Sequence, residues 1–138
     1  MIDIIGTLRH IYRRVNNLFA LVNAIFTLQE TGGVVTPTVI NTQYDVYRVD
    51  NPMGVFKPLK VMLDFANQTA AETVVVRTFY RITSGGALTL KDELSFIGVQ
   101  AVNMKNVELE PNRHGVQVTI ERIAGSAVNY EWMAAFEA

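Results

Sequence analysis

The chain contains no cysteine. Disulfides, cysteine-ligated zinc, iron–sulfur clusters and thiol nucleophiles are therefore excluded. Charge is scarce as well. Asp, Glu, Lys and Arg together make up 18% of residues, against about 25% in an ordinary soluble domain. Neither sign dominates: twelve basic and thirteen acidic residues leave a formal charge of −1. That balance provides no electrostatic footprint for nucleic acid. Long apolar runs are missing too. The longest uncharged stretch, Val15 to Gln29, is interrupted by Asn16, Asn17 and Asn23, and it falls short of the roughly 20 apolar residues of a spanning helix.

What is present is apolar. Hydrophobic residues make up 49% of the 138 residues, and mean hydropathy is +0.18. The length fits one domain, or a domain with an appendage, and suffices to bury a core without covalent staples. A small domain has much surface for its volume and should be more polar than average. A small chain with few charges hides surface in a membrane or against other chains. With no spanning segment, burial in an assembly is expected, and a membrane is not.

Residues 3–29 hold no proline and one glycine, Gly6. Apolar residues recur at Ile4, Leu8, Ile11, Val15, Leu18, Val22 and Ile25. That is a heptad repeat, with Leu8, Val15 and Val22 at position a and Ile4, Ile11, Leu18 and Ile25 at d. Ile5, Tyr12, Phe19 and Phe26 follow at e, while Arg9, His10, Arg13, Asn16 and Asn17 take the other face. Asp3 suits the positive end of the helix dipole, and Thr31-Gly32-Gly33 is read as the stop. The sequence thus predicts an oligomerisation helix over 1–31, with Ile4, Leu8, Ile11, Val15, Leu18, Phe19, Val22 and Ile25 as its interface. β-branched Ile at d disfavours a parallel dimer, and a trimer is expected. Burying the a and d side chains at about 1.5–3 kcal/mol each would contribute roughly 10–20 kcal/mol per chain as an upper bound. Two alternatives stand beside this: packing on the chain's own sheet, and an interfacial membrane helix. Arg9, Arg13 and Arg14 ahead of Leu18–Leu28 mimic a secretory leader, but Ile4, Ile5, Leu8 and Ile11 lie inside the would-be basic region, so a retained helix is expected.

From Val34 the period changes to two, predicting a β-sandwich domain over 32–138. Leu59–Phe65, Val74–Ile82, Val116–Ile123 and Val128–Phe136 alternate, with a slip in phase near Arg122 that fits a bulge. Shorter candidates are Val34–Ile40, Gln43–Val49, Ala87–Leu90, Leu94–Val99 and Val102–Leu109. Turn residues separate them at Asp50–Gly54, Ala66–Thr69, Ser84–Gly86, Glu110–Gly115 and Ala124–Ser126. The reading is mainly β: an antiparallel sandwich of about eight strands, jelly-roll or Ig-like, behind a long amphipathic helix. Val75, Phe79, Met62 and Met133 fall on the phase opposite the core set. Either both sheet faces are covered or that phase is misassigned.

Chemistry-bearing patterns are few. His10 and His114 lack a partner at ligand spacing and read as surface residues. No nucleophile elbow surrounds Ser84, Ser95 or Ser126. Asp92 and Glu93, adjacent, point to opposite faces of a strand and make a poor proton-sharing pair; they read as a solvated loop edge. Asp50-Asn51 lacks the alternation of a calcium loop. Ser84-Gly85-Gly86-Ala87 lacks the Lys of a phosphate cradle. Asn67-Gln68-Thr69 matches the glycosylation sequon. Tyr44, Tyr47, Tyr130 and Trp132 could form a stacking platform, but Tyr130 and Trp132 share the core phase, and Tyr44 and Tyr47 are of opposite phase. Arg77 and Arg81, flanking Phe79, could meet carboxylates across an interface. No catalytic, cofactor or metal residues are assigned, and no enzyme is expected.

A heptad helix, a Gly-Gly break and a cysteine-free sandwich together resemble small structural proteins of tailed phages and archaeal viruses, of the capsid-decoration, turret, head-fibre or tail-associated type. The segments Leu63–Arg77 and Gly115–Ser126, running into Tyr130-Glu131-Trp132, are similar to paired sandwich strands of such proteins. The resemblance implies a non-enzymatic structural role in a virion assembled in the host cytoplasm. Its partners would be further copies of the chain and a capsid or tail protein, with no cofactor. The competing reading is a sandwich module that binds a glycan or another ligand through its loops.

Overall fold

The computed structural model describes residues 4–25, 28–50 and 57–137, with side chains of the helix described as far as residue 18. One helix, α1 (Ile4–Ile25), precedes eight strands. These are β1 (Leu28–Val35), β2 (Gln43–Val49), β3 (Lys57–Asp64), β4 (Thr73–Tyr80), β5 (Thr89–Ile97), β6 (Met104–Glu108), β7 (Val116–Ala124) and β8 (Tyr130–Glu137).

The strands pair in nested order. β1 lies against β8, β2 against β7, β3 against β6 and β4 against β5, all antiparallel. β3 also pairs with β8, and β4 with β7. Two four-stranded sheets result, β1-β8-β3-β6 and β2-β7-β4-β5. A long hairpin rolled over itself gives this connectivity, and it is that of a jelly roll rather than an Ig domain.

Alternation along each strand fills the space between the sheets. Val61 and Leu63 from β3, Val74 and Val76 from β4, Val116, Val118 and Ile120 from β7, and Tyr130 and Ala134 from β8 form one closed core. Each large aliphatic there contributes about 1.5–3 kcal/mol by leaving water. The phase assigned to β4 holds: Val74, Val76, Thr78 and Tyr80 are buried. Val75, on the other face, is buried too. Its register neighbours are Ser95 and Glu121, and the Arg77 guanidinium bridges Glu93 and Glu121 on the same face. Met62 and Met133 stand opposite each other on the outer face of the first sheet and are half-buried.

Several expectations need correction. The helix does not run to Thr31. It ends at Ile25, and Thr31-Gly32-Gly33 lies inside β1. The glycines serve the strand: a Cβ on Gly32 would sit 2.5 Å from the Trp132 carbonyl oxygen as β1 crosses β8. Residues 36–40, expected to be strand, are loop, and the two candidates Ala87–Leu90 and Leu94–Val99 belong to one strand, β5. Asp92 and Glu93 lie within it and form no loop edge. Tyr44 and Tyr47, expected on opposite faces, both join the core, because an irregularity between Asp45 and Tyr47 shifts the alternation by one. The slip near Arg122 is present: Thr73 pairs with Ala124 and Val74 with Arg122, leaving Ile123 as the extra residue.

Candidate functional site

The residues assigned to an interface lie on α1. Ile4, Leu8, Ile11, Val15 and Leu18 are all exposed; Leu8 is 59% and Val15 45% accessible. Every described helix side chain, from Ile4 to Leu18, is exposed. The ridge is therefore not tucked onto the chain's own sandwich over that span. Phe19, Val22 and Ile25 belong to the same stripe, but their side chains lie outside those described. Among the described residues, none of the buried core residues comes from α1. Ile5 and Tyr12 extend the exposed stripe to position e. Among the described residues no acidic one occupies the first turn of α1 and no basic one the last, and Asp3, expected to suit its positive end, lies outside the described residues; most helical stability comes from burying an apolar face.

A concavity lies at the end of the sandwich where β1 begins. It is an open cleft of about 560 Å³, lined among others by Tyr80, Ile82, Leu90, Lys91, Glu110 and Asn112. Its polar groups already have partners. Lys91 pairs with Glu110 and sits 5.3 Å from the centroid of the Tyr80 ring. The Glu110 carboxylate holds the Lys91 ammonium above its ordinary pKa, and burial raises the Tyr80 hydroxyl. That hydroxyl accepts a hydrogen bond from the Glu110 N–H at 2.9 Å. Asn112 Nδ2 donates to the Arg81 carbonyl, and its Oδ1 accepts from the His114 N–H. His114 is half-buried in this turn and does not line the cleft. His10 is exposed on the helix.

The remaining sequence candidates resolve into structural roles. Arg77 meets its carboxylates, Glu93 and Glu121, within the chain. Arg81 lies beyond the end of β4 and bonds Asp50 and the Gly86 carbonyl. Arg48, and behind it Arg81, hold the Asp50 carboxyl below its ordinary pKa; Asn51 to Gly54 lie outside the described residues. Gly86 N–H donates to the Thr83 carbonyl, closing a turn. In the sequon, Asn67 Nδ2 donates to the Asn129 carbonyl and the Thr69 hydroxyl bonds Glu72, so both groups a glycan transfer would need are engaged in the fold. Tyr130 is buried and Trp132 packs half-buried on the core. Among the described residues Tyr12 is the one large aromatic exposed, so the described loops carry no aromatic platform. Among the described residues no group of three or more His, Asp or Glu is placed to hold a metal ion. No described helix is long and apolar enough to cross a membrane. No protein-family model and no curated protein sequence matches the chain.

Proposed function

We propose that this chain is a structural building part that associates with copies of itself through α1, as a parallel three-helix bundle, and carries its sandwich as a module of a larger particle of viral type. One observation carries the reading: the heptad ridge Ile4, Leu8, Ile11, Val15 and Leu18 stands exposed, and among the described residues no core residue comes from the helix. A ridge of that kind is stable in water only when covered. Copies of the same ridge fit it best, because a 3.5-residue repeat lets identical helices interlock knob into hole. Ile4 and Ile11 at position d and the apolar e residues Ile5 and Tyr12 favour three strands over two. The jelly roll agrees with a particle, since capsid domains use that architecture, but lectins and cupins use it too. Fold does not carry function; the ridge does. The polar groups of the end cleft, already tied to one another, add no argument for a catalyst.

The test is native mass measured across micromolar concentrations for the full chain and for Leu8→Asp and Leu18→Asp. Both side chains are exposed in the single chain, so neither substitution should disturb the sandwich. The expected result is loss of the three-chain species with β content unchanged by circular dichroism. A wild-type chain with no three-chain species, or variants that retain it, overturns the reading.

A further inference from the structure

The outer faces of the two sheets differ in how their charges are matched. On the second sheet Arg77 bridges Glu93 and Glu121, and Arg48 pairs with Asp45. On the first sheet an open groove of about 230 Å³ is lined by Met62, Met104, Met133 and Trp132 together with Asp64 and Glu131. Every methionine among the described residues lies in this one groove. Leu63 pairs with Trp132 across β3 and β8, and both pack toward the core. The next residues along, Asp64 and Glu131, therefore stand side by side on the outer face. Among the described residues neither forms a salt bridge; Asp64 accepts one hydrogen bond, from the Ala66 N–H. Farther along β3, Lys60 stands opposite Glu108 and Lys57 opposite Glu137. Like charges directly opposite each other on a sheet are destabilising, so the Asp64–Glu131 pair is held at a cost that a covering cation would remove.

α1 carries the complementary set. Between Ile4 and Leu18 its charged residues are Arg9, Arg13 and Arg14, with no carboxylate. Arg9 and Arg13 lie on one face, about 6 Å apart along the axis. Asp64 and Glu131, on neighbouring strands, are about 5 Å apart. Tyr12 stands beside the arginines at 69% accessibility, and Leu8, Arg9, Tyr12 and Arg13 border a common hollow on the helix. Arg9, Tyr12 and Arg13 take heptad positions b, e and f, which form one stripe beside the a and d seam.

We propose that this stripe of α1 docks in the methionine groove of a second copy of the chain, with Arg9 and Arg13 on Asp64 and Glu131 and the Tyr12 ring against Met62 and Met133. Guanidinium and carboxylate make short, charge-assisted bonds, and a thioether favours the edge of an aromatic ring. The helix comes from another copy because every described side chain of the chain's own α1, as far as Leu18, is exposed. One sequence holds both halves of the contact, so each copy brings a helix and a groove. Such a contact joins two different surfaces and need not close on itself; it extends from copy to copy. It leaves a and d to the helix bundle, and so goes beyond that reading without depending on it.

The experiment is sedimentation and native mass spectrometry of the full chain at low and at molar salt. At low salt the wild type should grow beyond the mass set by the helices, and molar salt should return it to that mass. Two variants are compared with it, Arg9→Glu/Arg13→Glu and Asp64→Lys/Glu131→Lys. Arg9, Arg13 and Glu131 are exposed and Asp64 is half-buried, so the β content seen by circular dichroism should be kept. Each variant alone should stay at the helix-set mass. An equimolar mixture of the two should grow again, because each then offers the other a helix and a groove of opposite sign. A wild type that never exceeds the helix-set mass overturns the proposal and leaves the bundle intact; if it binds an added arginine-rich peptide through Asp64 and Glu131, the groove belongs to another basic partner. Growth that persists in either variant, or a mixture that stays small, also overturns the proposal. Growth from a single-chain unit, lost in both variants and regained in their mixture, overturns the bundle and supports this contact.

Discussion

The Tyr130 hydroxyl donates a hydrogen bond to Gln68 Oε1 at 2.8 Å inside the closed sandwich. Gln68 is in turn buried, and its Nε2 donates to the carbonyls of Phe96 and Gly98. One side chain thus links β8, the β3–β4 connection and the end of β5. Tyr130→Phe keeps the ring, which packs edge-on against Phe65, but leaves a buried amide oxygen unpaired. The expected cost is about 1–3 kcal/mol. It is read as a lower denaturation midpoint at unchanged slope; no change in midpoint would show that the oxygen finds another donor.

Tyr47 is the opposite case. It is buried against Trp132 and Phe136, and its hydroxyl has no hydrogen-bond partner among the described residues. Tyr47→Phe should therefore be neutral or stabilise by about 1 kcal/mol, because a desolvated hydroxyl without compensation is removed. Burial pushes both Tyr47 and Tyr130 up to about 12, against about 10 in the unfolded chain. The folded state then holds protons that the unfolded state releases, so stability falls as pH rises. The contribution is fully present below pH 10 and is lost between 10 and 12, by at most about 3 kcal/mol for each tyrosine. Tyr47→Phe should remove its share of that decline, seen in urea midpoints measured from pH 8 to 12. An equally steep decline in the variant would contradict this.

Much of the fold is legible in the order of residues because alternation reports burial directly. β2 spans the predicted Gln43–Val49, and β4 buries the predicted phase. Alternation fails where backbone geometry intervenes. The irregularity before Tyr47 puts two tyrosines inward that simple counting separates. Gly32 and Gly33 resemble a helix stop, but they are needed where β1 crosses β8, a relation between residues a hundred positions apart. The ridge on α1 is legible because it is local. The cross-ties of the loop end, where the connections 36–42, 65–72, 98–103 and 125–129 meet, are not: they exist only once nested pairing gathers those four connections there.

Gly125 shows how closely those loops approach one another. Its φ is +81°, and an added Cβ would lie 2.7 Å from the Ala71 carbonyl oxygen and from Glu72 Cα. Gly85 has a similar φ of +73° but open space around it. Gly125→Ala should cost about 2–4 kcal/mol, strain plus displacement of backbone, and Gly85→Ala about 1 kcal/mol from strain alone. Thermal unfolding of the two variants separates these effects. Equal losses would show that the 65–72 loop yields freely.

Arg122 sets the order of the same end. Its Nε donates to the Pro37 carbonyl at 3.0 Å and its Nη2 to the Thr38 carbonyl at 2.9 Å, while Nη1 bonds the Gly125 carbonyl. One guanidinium therefore holds the 36–42 and 125–129 connections to β7. A lysine ammonium at this position is a point charge on a flexible stem and cannot span the three acceptors with a rigid fork. Arg122→Lys should therefore loosen the loops while leaving the core of Val61, Val74, Val118 and Tyr130 packed. The expected loss is about 1–3 kcal/mol, since hydrogen bonds to a charged donor are worth more than neutral ones. Hydrogen exchange discriminates local from global effects: amides of residues 38–42, including Asn41, which donates to the Arg122 carbonyl, should exchange faster, and those of β4 and β7 should not. Uniformly faster exchange across both sheets would mean that Arg122 supports the whole sandwich and not its end alone.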